Sequence, residues 1–330
     1  MQNLKLQLAI ISLILHKEYS MKTLKTLSIL LVLLLGAFVS YRFIISPKQE
    51  ATQTKDAKPL IALSTYALYD AAKNVAGESM DCFCILPYGV DVHSFEPTPM
   101  IMAKVHDAKL VVYSGAGLQP WAHTFEDQKN GLDMSRYMKL LDASATEEDE
   151  HHHDSDFDPH YWLDVDNMSI ATNILKEKFI KISPQNRDMY EENAENYIAK
   201  LHELDRLYKE KLSVCKVDTI VVEHNAFSYL AAKYNFNVES ISGLSPDAEP
   251  SAKVMGSIIS SVKTKNINTI FFESFASDKV IKAIAADAHV KVNVLNPLAN
   301  ITKAESENKS SYYSLMLENL GKIAASRECQ

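Results

Sequence analysis

The sequence predicts an α/β protein of two lobes, each built on a parallel sheet, joined by one long rigid helix with a cleft between the lobes. Three observations carry that expectation. From Leu60 onward, apolar runs of strand length alternate with helical patterns, the order expected of βα units on a parallel sheet. The alternation is interrupted by one continuous helical stretch, "SPQNRDMYEENAENYIAKLHELDRLYKEKLS" from Ser183 to Ser213, and then resumes. The length of 330 residues exceeds what one small core serves and suits two lobes of ordinary size.

The N-terminal region reads as a targeting segment. After Met21 come Lys22 and Lys25, then the apolar run "LSILLVLLLGAFV" from Leu27 to Val39, the charged-then-apolar order of an export signal. "SYRFII" extends the run to about 20 residues, enough to cross a bilayer. No small-x-small cleavage site and no lipoprotein cysteine follow. Residues 1–45 are therefore expected to be an export signal or an uncleaved membrane anchor, with Met21 the more natural start, and residues 46–58 a polar tether.

The body divides into an N-terminal lobe over 59–182, a linking helix over 183–213 and a C-terminal lobe over 214–330. In the first lobe "LIALSTY", "MDCFCILP", "KLVVYSG" and "MKLLDAS" read as strands, and "LYDAAKNVAG", "TPMIMAKVHDA" and "LQPWAHTFEDQ" as helices. In the second, "DTIVVEH", "NVESISG", "INTIFFES" and "KVNVLNP" alternate with "FSYLAAKY", "EPSAKVMGSIISSVKTKN" and "SDKVIKAIAADA", before a last helix around "SYYSLMLENLGKIAAS". In the linking stretch Ser183 can cap and Pro184 suits a first turn. Tyr190, Ala194, Tyr197, Leu201, Leu204 and Tyr208 recur at steps of four and three, one apolar seam along a helix of roughly 40 Å.

Composition excludes some classes. Hydrophobic residues make up 47% and charged residues 23%, a globular balance. A net charge of -8 without clustered Lys and Arg argues against a nucleic-acid partner and is compatible with attracting cations. Four cysteines in this length are not a disulfide framework. Cys82 and Cys84, two apart on a strand, face one side and read as buried thiols. Cys215 and Cys329 could pair in an oxidising compartment, but spacing alone does not bring them to bonding distance. "SGAGLQP" lacks the spacing of a phosphate loop and reads as a turn.

Ligands of parallel α/β sheets bind beyond the carboxyl ends of the strands. His93 follows the strand "CFCILP", His224 ends "TIVVEH", and His160 stands in "DPHYWLD" before a helix expected to start near Asp166. Three imidazoles from three loops make a plausible nitrogen set for Zn²⁺. Each is also readable as an ordinary polar residue, as are His16, His106, His123, His202 and His289. The acidic-histidine loop 147–158, "EEDEHHHDSDFD", reads either as a solvated charge run or as a weak metal-collecting loop through His151, His152 and His153.

Six motifs in order, "GVDVHSFEPTP", "DAKLVVYSGAGLQPW", "DPHYWLD", "HNAFSYLAAKY", "ISGLSPDAEPSAK" and "VLNPL", resemble the zinc and manganese substrate-binding proteins of ABC transporters, the ZnuA/TroA-like family, over roughly residues 59–325. The resemblance implies one metal ion held between two lobes and handed to a membrane permease, in a monomeric exported, periplasmic protein. It places the ligands at His93, His160 and His224. Histidine at the third position goes with zinc in this family, and a carboxylate there with manganese. The family often adds a carboxylate from the loop after the last strand. Here that loop reads "VLNPLANIT", with Asn296 and Ala299, so Asn296, a water or the nearby Glu273 are the alternatives for a fourth ligand.

Beside zinc capture stand a manganese or iron member of the family, a surface metal-dependent adhesion module, and a zinc hydrolase, since three histidines and a water also hold catalytic zinc. A hydrolase needs a general base at that water. Glu223 adjoins His224, but neighbouring strand residues point to opposite faces, and no HExxH helix or nucleophile motif is present. The protein is therefore not expected to be an enzyme.

Overall fold

A computed structural model of the chain describes residues 57–143, 156–244, 250–273 and 279–330. The targeting segment, nearly all of the tether and the histidines of the acidic loop lie outside them. Among the described residues no helix is long and apolar enough to cross a membrane.

Two four-stranded sheets are present, each entirely parallel and each ordered the same way. In the first, β1 (Leu60–Leu63), β2 (Asp81–Cys84), β3 (Leu110–Tyr113) and β4 (Gly131–Asp133) lie in the order β2-β1-β3-β4. In the second, β5 (Thr219–His224), β6 (Asn237–Ser242), β7 (Thr269–Phe272) and β8 (Lys291–Val294) lie in the order β6-β5-β7-β8. β1 and β3, and β5 and β7, are buried on both faces, which is why they read as continuous apolar runs without alternation. In each sheet the strand order reverses between the two central strands, the crevice where such sheets bind ligands.

Helices α1 (Tyr66–Ala76) and α2 (Pro99–His106) belong to the first lobe, with α3 (Val165–Ile182) after it. Asp164 caps α3 through the Asp166 amide, one residue ahead of the expected start. The spine α4 spans Arg187–Lys211, about 37 Å at 1.5 Å per residue. It begins later than the sequence suggested: Pro184–Asn186 form a 3-10 turn and Ser183 makes no side-chain cap. Its buried residues are the six of the apolar seam. α5 (Ser228–Tyr234), α6 (Ala252–Thr264), α7 (Lys279–Ala288), α8 (Lys303–Glu307) and α9 (Tyr312–Ser326) complete the second lobe.

Two expectations in the first lobe need correction. "MKLLDAS" is not a strand: the fourth strand is the shorter "GLD", paired with β3. Lys139 N–H instead donates to Asn167 and Leu141 N–H to the Tyr229 hydroxyl, while the Leu141 carbonyl accepts from the Asp158 N–H beside an isolated bridge of Asp142 to Phe157. "LQPWAHTFEDQ" holds a 3-10 turn, Pro120–Phe125, that buries Trp121, Ala122 and Phe125. "SGAGLQP" is the turn expected, with Gly115 at φ 73°, a left-handed conformation that glycine adopts freely. A Cβ on Gly115 would meet the Asp133 carboxylate at 2.0 Å.

The largest core runs without a break from β1 and α1 through α3 and α4 to Phe271 and α9. Smaller clusters cover the far face of each sheet. The spine is tied to both lobes, Tyr197 of α4 donating to Asp70 of α1 at 2.9 Å and Tyr208 to the Met316 carbonyl at 2.7 Å, and Tyr312 crosses between the lobes to the Trp162 carbonyl at 2.6 Å. Thr65 gives α1 no side-chain cap; its first amides, Tyr66 and Ala67, donate instead to the carbonyls of Ala299 and Leu298 in the second lobe. Cys215 and Cys329 form a disulfide, and Cys82 and Cys84 are free.

Candidate metal centre

His93, His160 and His224 converge between the lobes, the ligand atoms all within 4.8 Å of one another. The Nε2 of His160 lies 3.3 Å from that of His93 and 3.4 Å from that of His224. A tetrahedral ion with Zn–N bonds of 2.0–2.1 Å sets its ligand nitrogens about 3.3–3.4 Å apart, whereas octahedral bonds of about 2.1 Å would bring them to about 3.0 Å. The two separations from His160 are of the size a tetrahedral ion bound through Nε2 would bridge.

Local structure explains the convergence. His224 is the last residue of β5, at the sheet's reversal point. β5 and β7 pair in parallel with Val221 beside Ile270, so three residues further on the register brings His224 beside Glu273. The Glu273 carboxylate closes on Nδ1 of His224, both buried. His160 and His93 share a different device. In each case an aspartate two residues before accepts the histidine's own N–H: Asp158 that of His160 at 2.9 Å, and Asp91 that of His93 at 2.8 Å. Asp158 Oδ1 also meets Nδ1 of His160 at 2.8 Å. With Nδ1 engaged on His160 and His224, their Nε2 atoms are the ones left to face the cluster.

The surrounding loops are pinned. Asn300 donates to the carbonyls of Pro87 and Val90 at 2.6 and 2.8 Å, fixing the segment that carries His93. The Trp162 indole donates to the Pro297 carbonyl at 2.7 Å. Tyr229, from the second lobe, donates to the Asp158 carbonyl at 2.7 Å.

Electrostatics separate the histidines. Burial, with repulsion from His160 and His224, holds His93 well below the ordinary histidine range. For His224 burial works against the charged form, but the Glu273 carboxylate, Asp91 and Glu223 outweigh it and the net shift is upward. Burial chiefly raises the Asp91 carboxyl, against the bonds from His93 and Ser94.

The cavity at the cluster is lined by Asp91, Glu273, Pro297, Ala299 and Asn300 among others. Asn296, one of the fourth-ligand alternatives, is not in the lining. Its amide nitrogen donates to Glu305 at 3.0 Å and its oxygen accepts from the Leu298 N–H at 2.8 Å, so both ends of the carboxamide are committed elsewhere. Glu273 does line the cavity but engages His224. Glu223 accepts from the Glu273 amide at 3.3 Å. His106 packs on Phe125 and His123 pairs with Glu126; His202 is exposed on α4 and His289 follows α7. His16, His151, His152 and His153 lie outside the described residues. Sequence reasoning missed Asp91 and Asp158; the repeated Asp-x-His spacing, "DVH" and "DPH", was the signal available.

A family model, zinc-uptake complex component A, periplasmic (ZnuA), matches residues 61–326. The chain is 34% identical over 275 residues to the zinc-binding lipoprotein AdcA of Streptococcus pneumoniae, covering 80% of this chain and 55% of AdcA. It is 30% identical to the high-affinity zinc uptake system protein ZnuA of Bacillus subtilis, covering 83% of this chain and 89% of that protein. Among solved structures, the Zn(II)-bound ZnuA-like domain of S. pneumoniae AdcA superposes with a TM-score of 0.70 at 31% identity, covering 82% of this chain and 100% of that one. The chain thus spans just over half the length of the AdcA relative.

Proposed function

Because the chain belongs to the ZnuA family of periplasmic zinc-uptake components, we propose that it captures Zn²⁺ with high affinity and delivers it to the permease of an ABC-type uptake system. It does so without catalysis, as a monomeric exported protein whose residues 1–45 act as signal or membrane anchor and whose residues 46–58 act as tether. His93, His160 and His224 hold the ion, and His151, His152 and His153 collect metal weakly beside them.

The observation that carries this reading is the convergence of three imidazoles, from three separate segments, whose ligand atoms all lie within 4.8 Å of one another, a nitrogen donor set that suits Zn²⁺. Imidazole donors also suit zinc better than manganese, which prefers oxygen. The hydrolase alternative finds no support: Glu223 accepts from a strand-end amide and is not among the residues lining the cavity.

Metal analysis and calorimetry of the full-length protein test the proposal. One tightly held Zn²⁺ per chain, with Mn²⁺ bound much more weakly, is the expected result. Absence of metal after purification and no heat on adding Zn²⁺ would overturn it.

A further inference from the structure

The three imidazoles bring no negative charge to a doubly charged ion, and the described residues place no carboxylate oxygen within the 4.8 Å cluster. Two buried carboxylates nevertheless stand immediately behind it. Glu273, 4% exposed, contacts His224 at Nδ1. Asp158, fully buried, holds both the backbone N–H and Nδ1 of His160 through Oδ1, while its Oδ2 has no hydrogen-bond partner. A buried carboxylate with an unsatisfied oxygen is costly unless a nearby cation offsets it.

We propose that Asp158 and Glu273 are positioning residues for the captured ion: each acts through one histidine, fixing its ring and tautomer and placing a buried negative charge behind that ring. Glu273 is thereby assigned behind His224 and not on the metal. The inference rests on the three-histidine reading of the site.

The geometry argues for action through the rings. Glu273 reaches His224 because the β5–β7 register puts the two strand ends side by side, on the edge of the ring opposite Nε2. Asp158 is turned toward its own histidine by a two-residue Asx arrangement, and the Tyr229 hydroxyl holds its carbonyl. A carboxylate accepting Nδ1–H makes Nε2 a stronger donor and forbids the wrong tautomer, and removing such a partner costs roughly 10–100-fold in metal affinity.

The test uses the full-length protein with Zn²⁺ for affinity and Co²⁺ as the spectroscopic probe of coordination. Glu273→Gln keeps an oxygen that accepts Nδ1–H and loses the charge, so zinc binding should weaken about tenfold with the cobalt bands unmoved. Glu273→Ala loses both and should weaken it about 100-fold. In a His224→Ala background, Glu273→Gln should cost clearly less than in the parent, whereas Asp158→Asn, which works through His160, should weaken binding as before. Melting of the metal-free variants separates a fold defect from a site defect. Unchanged zinc affinity in Glu273→Gln, a lowered melting temperature alone, or equal losses with and without His224 would overturn the proposal. A cobalt spectrum altered by Glu273→Gln would make Glu273 a direct ligand. If alanine at His93, His160 and His224 leaves zinc binding intact, the site reading fails and this inference with it.

Discussion

Asn296→Asp decides whether the loop after β8 can contribute a ligand. The Asn296 amide nitrogen sits 3.0 Å from Glu305 Oε1, so the substitution faces two carboxylates across a buried gap. The lost bond to a charged acceptor costs roughly 1.5–3 kcal/mol. Repulsion of two charges at 3 Å reaches about 5 kcal/mol at an effective dielectric of 20, which the protein limits by protonating one of them. A net loss of about 2–4 kcal/mol at pH 7.5 is expected, lowering the melting temperature by about 5–15 °C. The new carboxyl's folded pKa lies above its unfolded value of about 3.9. Its penalty is therefore absent below that value, grows as pH rises from there to the folded pKa and is constant above it, so the deficit should be smaller at pH 5 than at pH 7.5. Zinc affinity should stay within about threefold, because outer groups that do not touch a ligand escape the usual tenfold cost. The same charge at Ala299, which lines the cavity, should tighten zinc binding instead. Scanning calorimetry and zinc titration of both variants provide the measurement. An Asn296→Asp protein of undiminished stability that binds zinc more tightly would refute the reasoning.

Alanine at His93, His160 or His224 should each cost more than about 100-fold in zinc affinity, beyond the range of outer-shell changes, whereas His106→Ala and His202→Ala should titrate like the parent. Zinc affinity should fall as pH drops from 7.5 to 5.5, chiefly through protonation of His224, whose pKa is raised, while His93, whose pKa is lowered, resists protonation longer; calorimetry in buffers of different ionisation enthalpy should register proton release near pH 7. The sign reverses for the metal-free fold: the proton on His224 stabilises it fully below the unfolded histidine pKa, and that contribution is lost as pH rises through the folded value. Tyr229→Phe removes the partner of both the Asp158 carbonyl and the Leu141 N–H, and should cost about 1–3 kcal/mol in urea unfolding together with some zinc affinity. Deleting Glu147 to Ser155 should leave one tight zinc site and abolish only weak additional binding, measured by zinc stoichiometry at saturation.

The central strands were legible because burial on both faces leaves a run of consecutive apolar residues, and the spine because its seam keeps helical period over 25 residues. β4 was not legible. Three residues, Gly131–Asp133, carry no periodicity, and their pairing with β3 is decided by tertiary structure. "MKLLDAS" looked like a strand because Met138, Leu140 and Leu141 pack on the main core, but the Lys139 and Leu141 amides go to the side chains of Asn167 and Tyr229, and its only strand-like pairing among the described residues is an isolated antiparallel bridge, Asp142 to Phe157. The three histidines could be placed at the cleft because strand ends are readable. Their partners could not: Glu273 meets His224 only through the β5–β7 register, and Asn296 turns away because Glu305, nine residues on, captures its amide. The Cys215–Cys329 disulfide, 114 residues apart in sequence, likewise needed the fold to bring its ends together.

The first turn of α1 finishes its hydrogen bonding on carbonyls of the opposite lobe, so swinging the lobes apart would strip donors from a buried helix end at about 1–3 kcal/mol each. A clamshell motion is thereby made expensive, and the expectation is a frame that changes little between its metal-free and metal-loaded forms. On the uptake function proposed above, a membrane permease would then have little difference in outline to read, and would have to sense something local, such as the charge gained at the mouth of the cavity or the set of the short segment around His93.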